Sequence, residues 1–231
     1  MEEISIASSS PFFHYSTIAC RSYVHTLFGS SRKAGRLGYF SRYPRINNVQ
    51  LNGICTFPTI SIMIIETKIV EKPAFSVIGI TETIHIDPSL PPSENAIAKL
   101  WGGFVKRIPE IPGLLGWRSF GLMLQNPDNP PGAPFEYTAA AQIYEDGVIP
   151  EGMTRIEVPA ALYIVLTYRG PLDGIRDAFR HFWGHWSPNN PYEYDGGIRT
   201  GKYEFEFYDQ RYTRPDDPNS EIDLYFPIRK K

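Results

Sequence analysis

The chain has 231 residues and a formal net charge of −2, enough length to bury a core and too little positive charge for broad electrostatic capture of nucleic acid. It has no run of about 18 uncharged apolar residues, so no membrane span is expected. Its two cysteines, Cys20 and Cys55, are too few for a disulfide scaffold or a cysteine-built metal site. The cysteine-free body fits a reducing compartment, and a cytoplasmic location is expected. Aromatic residues make up 14% of the chain, a surplus that suits either a dense core or a cavity lined with rings.

Residues 1–62 read differently from the rest. Glu2 and Glu3 are their only acids, against Arg21, Arg32, Lys33, Arg36, Arg42 and Arg45. The segment is Ser-rich and has no sustained helical or strand period. It fits an organellar targeting peptide, a disordered basic arm, or upstream sequence ahead of a start at Met63, where Met-Ile-Ile-Glu-Thr-Lys leads into the first strand. No helix-turn-helix can be drawn through Gly29, Gly35, Gly38 and Pro44, so direct nucleic-acid binding is not expected. The domain is expected over 63–231.

From Lys68 the pattern is regular. Val70 to Thr81 reads as a strand, and Ser93 is placed to cap a helix from Glu94 to about Ile108. Ile97, Leu100, Trp101, Phe104 and Ile108 share one face of that helix, and Pro109 and Pro112 end it. Strands are expected at Trp117–Gln125 and Phe135–Tyr144, around the turn-rich stretch 126–133. The order then repeats: a strand from Ile156 to Thr167, a helix from about Leu172 to Trp186, and strands at Lys202–Arg211 and Glu221–Ile228. Glu71/Glu157, Pro73/Pro159, Ala74/Ala160, Ile78/Ile164 and Thr81/Thr167 match at one constant offset. Each half is therefore strand, helix, strand, strand, and a cleft between such halves is a favoured small-molecule site.

Strand alternation assigns faces. Tyr203, Phe205 and Phe207 fall on one side, with Glu204, Glu206 and Tyr208 on the other; Ile222, Leu224, Phe226 and Ile228 oppose Glu221, Asp223 and Tyr225. If the apolar rows pack on the helices, Glu206 and Tyr225 point together to the helix-free face, where the cleft is expected. A carboxylate among rings pairs with an organic cation whose flat body stacks on them. Glu204, Glu221 and Asp223 read as ordinary solvated acids.

Lys72-Pro-Ala-Phe-Ser-Val-Ile-Gly-Ile80, Leu100-Trp-Gly-Gly-Phe104, Pro150-Glu-Gly-Met153, Val158-Pro-Ala160, Pro191-Tyr-Glu193, Phe205-Glu-Phe-Tyr-Asp209 and Ile222-Asp-Leu-Tyr-Phe-Pro-Ile228 follow one another in an order that resembles GyrI-like domains. The resemblance covers roughly Glu66 to Arg229. It implies an α+β fold of two strand-helix-strand-strand modules in pseudo-two-fold symmetry, with antiparallel sheets backed by two helices and a ligand groove between the halves. It also implies the effector-sensing part of AraC- or MerR-type multidrug regulators, or a free-standing version of it, binding small amphipathic, cationic or lipophilic molecules without a cofactor. The family's buried glutamate falls on Glu206, and the candidate cage is Trp117, Tyr137, Tyr163, Trp186, Tyr192 and Tyr225. The chain departs from the usual small-Gly-Tyr-Glu loop in having Asn189-Asn190-Pro191 ahead of Tyr192.

No phosphate-binding glycine loop, nucleophile-elbow serine or zinc-protease pair is present in the sequence. His181 and His185 are spaced to share a metal but lack a partner of telling spacing, so a packing or capping role is expected. Two other functions remain open: a groove that holds a protein partner, as in topoisomerase-inhibiting relatives, and hydrolysis of electrophilic ligands by a Glu/Tyr pair within Tyr203–Asp209.

Overall fold

Proline sets the strand breaks. The computed structural model describes residues 64–231 apart from 127, 131, 145 and 146. The readings made for 1–62 lie outside the described residues. Where the sequence suggests one strand from Val70 to Thr81, the chain forms β1 (Ile64–Lys72) and β2 (Phe75–Ile84), broken at Pro73-Ala74. The repeat breaks alike at Pro159-Ala160, giving β5 (Thr154–Val158) and β6 (Ala161–Arg169). Proline has no N–H to give to a ladder, so pairing stops there and the chain changes partner. β1 pairs with β6 and β5 with β2, so each module lends its first strand to the other.

Between these lie β3 (Leu114–Leu124) and β4 (Phe135–Ile143) in the first half, and β7 (Tyr192–Tyr194), β8 (Glu204–Tyr208) and β9 (Glu221–Lys230) in the second. The antiparallel order is β1-β6-β9-β8-β3-β4-β2-β5, with the short β7 added on the end of β9. Exchanging β1 with β5, β2 with β6, β3 with β8 and β4 with β9 turns this order onto itself. The duplication seen in sequence is thus a pseudo-two-fold in space, with its axis between β3 and β8.

Helix α1 (Ala96–Phe104) is capped by Asn95, whose side chain accepts from Ala98 N at 3.0 Å. Ser93, the expected cap, lies instead in a 3₁₀ turn, and its backbone N–H donates to Asp173 of the other half. Leu100 and Phe104 are buried on the first half of the sheet beside Ile78, Ile84, Ala139 and Ala141. Burial of each such side chain stabilises the fold by about 1.5–3 kcal/mol. Helix α2 (Ile175–His181) runs on through a π-helical turn at Phe182–Trp186. Its anchor is Phe182, stacked on Phe226 of β9 with centroids 3.8 Å apart.

Both faces of the sheet carry a core. On the helix side, α1 covers one half and α2 covers Ile164, Leu166, Ile222, Leu224 and Phe226 of the other. The residues that alternate with these, including Val77, Phe120, Leu122, Tyr163, Val165 and Phe205, form a third cluster on the opposite face. Among the described residues no helix is long and apolar enough to cross a membrane.

Candidate functional site

Register decides where Glu206 points. On β8 it pairs with Leu224 of β9, which packs under α2, while its neighbour Phe205 pairs with Tyr225. Directly paired residues share a face, so Glu206 lies on the helix side and Tyr225 on the other. The expected grouping of Glu206 with Tyr225 on the helix-free face is therefore wrong. The apolar row of β9 does pack on a helix, but Phe205 and Phe207 of β8 belong with the third cluster. Because both faces bury a core, a row of rings does not mark the helix side.

Glu206 is 6% exposed and carries no ion-pair partner among the described residues. Its Oε2 accepts from Tyr137 OH at 2.7 Å and from Tyr208 OH at 2.8 Å. The indole N–H of Trp101 on α1 donates in turn to Tyr137 OH at 2.9 Å. Trp101 meets Tyr208 edge-on at 5.1 Å, and Tyr208 meets Tyr212 at 5.0 Å. Glu206 Oε1 accepts no hydrogen bond from the described residues. Burial raises the Glu206 carboxyl above its ordinary pKa, and the two phenol hydrogen bonds offset part of that rise. Burial, and then the charge of Glu206, hold Tyr137 and Tyr208 well above the usual phenol range, so both remain donors.

Gly121 of β3 sits directly opposite Glu206. A Cβ there would stand 1.9 Å from Tyr137 OH and 2.7 Å from Glu206 Oε2. The mid-strand glycine makes room for the bonded pair.

A second carboxyl lies two residues away on the same face. Glu204 and Asp223, both expected to be solvated, are buried. Glu204 is 1% exposed and accepts from Gln125 Nε2 at 2.6 Å and Tyr194 OH at 3.0 Å. Burial lifts its pKa to about 7 against those two hydrogen bonds, and the nearby Glu206 adds to the rise. Asp223 faces the other way, held by Thr167 Oγ1 at 2.7 Å and by Arg211. Glu221 is half-buried and paired with Arg169.

The proposed cage does not assemble as one unit. Of its rings, Tyr137 alone touches Glu206. Tyr163 and Tyr225 meet each other on the helix-free face, packed on Phe205. Trp117 is 86% exposed, carried outward where the β3 ladder is irregular between Leu114 and Ser119 and Gly116 takes a left-handed conformation. Trp186 stacks on Phe182, and Tyr192 lies in the shell of the α2 core. The rings that do surround Glu206 besides Tyr137 are Trp101, Tyr208 and Tyr212. Two of them carry a signal in the sequence: Tyr208 shares the phase of Glu206, and Trp101 lies on the apolar face of its helix.

His181 and His185 stand with ring centroids 5.5 Å apart, and no group of three metal-ligating side chains occurs among the described residues. A shallow depression of ≈ 450 Å³ beside α1, lined by Leu90, Ser93, Glu94, Ala98 and Lys99, includes none of the Glu206 group.

This architecture, two swapped modules with a buried carboxyl at their junction, is that of an effector-binding domain of the GyrI-like class. The family described as integron-associated effector binding protein matches residues 68–228, and the chain belongs to it. The transcriptional regulator BrlR of Pseudomonas aeruginosa is 37% identical over 162 residues, 70% of this chain and 54% of BrlR. The chain thus spans about half the length of that relative. Among solved structures, an integron cassette protein from the mobile metagenome of Vibrio cholerae superposes with a TM-score of 0.52 at 16% identity, over 71% of this chain and 95% of that one. SAV2435 bound to tetraphenylphosphonium gives 0.52 at 16% identity, over 71% and 94%. EcmrR in a DNA complex gives 0.54 at 19% identity, over 74% and 59%. At these identities the three structures show the shared fold.

Proposed function

We propose that this domain binds a lipophilic organic cation at Glu206, on the helix side of the sheet, and serves as an effector-sensing or sequestering module. The observation that carries the reading is a buried carboxyl without a counter-cation among the described residues. Glu206 is held by two phenols through Oε2, has no described partner at Oε1 and lies among Trp101, Tyr137, Tyr208 and Tyr212. A buried carboxylate is costly until a positive charge joins it, and flat rings reward a cation that brings apolar area of its own. Two relatives support the class of ligand and the role: SAV2435 has been seen with a lipophilic phosphonium, and BrlR is a transcriptional regulator.

Calorimetric titration of the full chain with tetraphenylphosphonium, alongside Glu206→Gln, tests this. The variant keeps the shape and loses the charge. Affinity is expected to fall by about 1–3 kcal/mol, roughly 5- to 150-fold. Equal affinity in the two proteins would place the site elsewhere. The pH profile has a defined sign: because the carboxyl titrates above its ordinary value, affinity weakens as pH falls through that raised pKa. The Gln variant has no such limb.

A further inference from the structure

The helix-free face carries a second cluster, which the Glu206 site does not use. Phe75, Phe207 and Tyr225 are half-buried and form the open side of a ring stack. Beneath them Phe120 lies 4.9 Å from Phe75 and 5.1 Å from Phe207, and Phe205 stacks on Tyr225 at 4.4 Å. Over this floor hangs the Lys72 ammonium, with Nζ 4.9 Å from the Phe75 centroid, 5.4 Å from Tyr225 and 5.9 Å from Phe207.

The charges at its rim are unevenly matched. Arg211 is engaged by Asp209 and Asp223, at 2.9 and 2.7 Å, and more distantly by Glu221 at 3.6 Å. Arg118, two residues before Phe120 on β3, is close enough to help lower the Lys72 pKa, after burial, while Asp223 opposes the shift. Neither Lys72 nor Arg118 has an ion-pair or hydrogen-bond partner among the described residues. Two cations, one of them partly desolvated, therefore stand beside an aromatic floor; Asp209 and Asp223 are hydrogen-bonded to Arg211, and Asp209 also feels the charge of Arg118 without bonding to it.

We propose that Lys72 and Arg118, with the rings of Phe75, Phe207 and Tyr225, form a second ligand site that takes a planar aromatic carboxylate. The carboxylate bridges the ammonium and the guanidinium, the latter suited to two parallel hydrogen bonds. The ligand ring takes over the aromatic floor by offset stacking, and the Lys72 ammonium moves from the ring faces to the anion. The chain then has two sites of opposite sign on opposite faces of one sheet, one selecting cations and the other anions.

The test is titration of the full chain with 2-naphthoate, followed by calorimetry and by the naphthyl fluorescence. The uncharged 2-acetylnaphthalene serves as a control of the same size. Naphthoate is expected to bind several-fold more tightly than the ketone, and Lys72→Gln and Arg118→Gln are each expected to weaken it by roughly three- to tenfold. Unchanged thermal midpoints will show that both variants are folded. Bound tetraphenylphosphonium should leave naphthoate affinity as it was, since the two ligands occupy different faces. Failure of naphthoate to bind, equal binding of the ketone, insensitivity to both substitutions, or mutual displacement with the phosphonium would each overturn the proposal. The first three outcomes leave the Glu206 reading untouched, and for the fourth the Glu206→Gln titration shows which of the two sites has been misplaced.

Discussion

Glu204→Gln should make the protein more stable at neutral pH and leave it unchanged in acid. In the folded protein burial raises the Glu204 carboxyl from its ordinary 4.5 to about 7. Each unit is worth about 1.4 kcal/mol, so the rise is linked to about 3 kcal/mol of folding free energy. The sign follows from which state holds the proton. Below about pH 4.5 both folded and unfolded chains are protonated, and the full stability is present. As pH rises toward 7 the unfolded chain gives up its proton freely while the folded one resists, and stability is lost. Above about 7 the folded protein carries the buried charge. Glutamine keeps the shape without ever ionising: its amide oxygen accepts from Tyr194, and its NH₂ donates to Gln125 once that amide turns its oxygen inward. Urea unfolding of both proteins from pH 4.5 to 8 should show a difference that grows from near zero to at most about 3 kcal/mol in favour of the variant. Carboxyls held low by their hydrogen bonds, such as Glu157 and Asp217, tilt both curves alike and cancel in the difference. A difference that stays constant with pH would refute the assignment of Glu204 as a buried group that resists ionisation.

Gly121→Ala should cost about 1–3 kcal/mol by overpacking and should also abolish cation binding, since the new methyl lands on Tyr137 OH and Glu206; thermal unfolding and calorimetry read the two effects separately. Tyr137→Phe removes a donor that holds the Glu206 pKa down and leaves the Trp101 indole N–H unpaired. Stability should fall by about 1–3 kcal/mol, and the acid limb of the cation-binding profile should move to higher pH. Trp117→Ala, at an exposed position on the irregular part of β3, should change stability by no more than about 0.5 kcal/mol and leave cation affinity alone.

Much of the fold was legible because it rests on local chemistry and on repetition. Pro73 and Pro159, matched at one offset, show that the modules are alike, and the helical stripe of Leu100, Trp101 and Phe104 and the apolar alternation of β9 meet their helices as expected. What alternation cannot supply is the absolute face. It sorts the residues of β8 into two rows but does not say which row meets the helices; that depends on the register of Phe205 with Tyr225 and Glu206 with Leu224, a pairing between distant segments. Ordinarily the apolar row goes inward and the ambiguity resolves itself. Here a third core lies on the far face, so Phe205 is buried there and Phe207 packs against it half-buried, away from the helices. The same cause hid Glu204 and Asp223. Acids alternating with rings look solvated only if one face of the sheet is wet.

A duplicated scaffold would give two equivalent sites if its halves were identical, and the asymmetry at the axis shows why it does not. β3 and β8 exchange under the pseudo-two-fold and lie side by side. At the middle of their five paired positions, one strand supplies glycine and the other glutamate. Two glutamates there would put like charges face to face in a buried place, and two glycines would leave no charge at all. Glycine on one side lets Tyr137 reach across from β4 and fix the single carboxylate oxygen that Tyr208 also holds. Trp101, from the first half, buttresses Tyr137, while Tyr208 and Tyr212 come from the second. The sheet supplies a floor shared by both modules, and broken symmetry at its centre sets one buried carboxyl among side chains drawn from both halves.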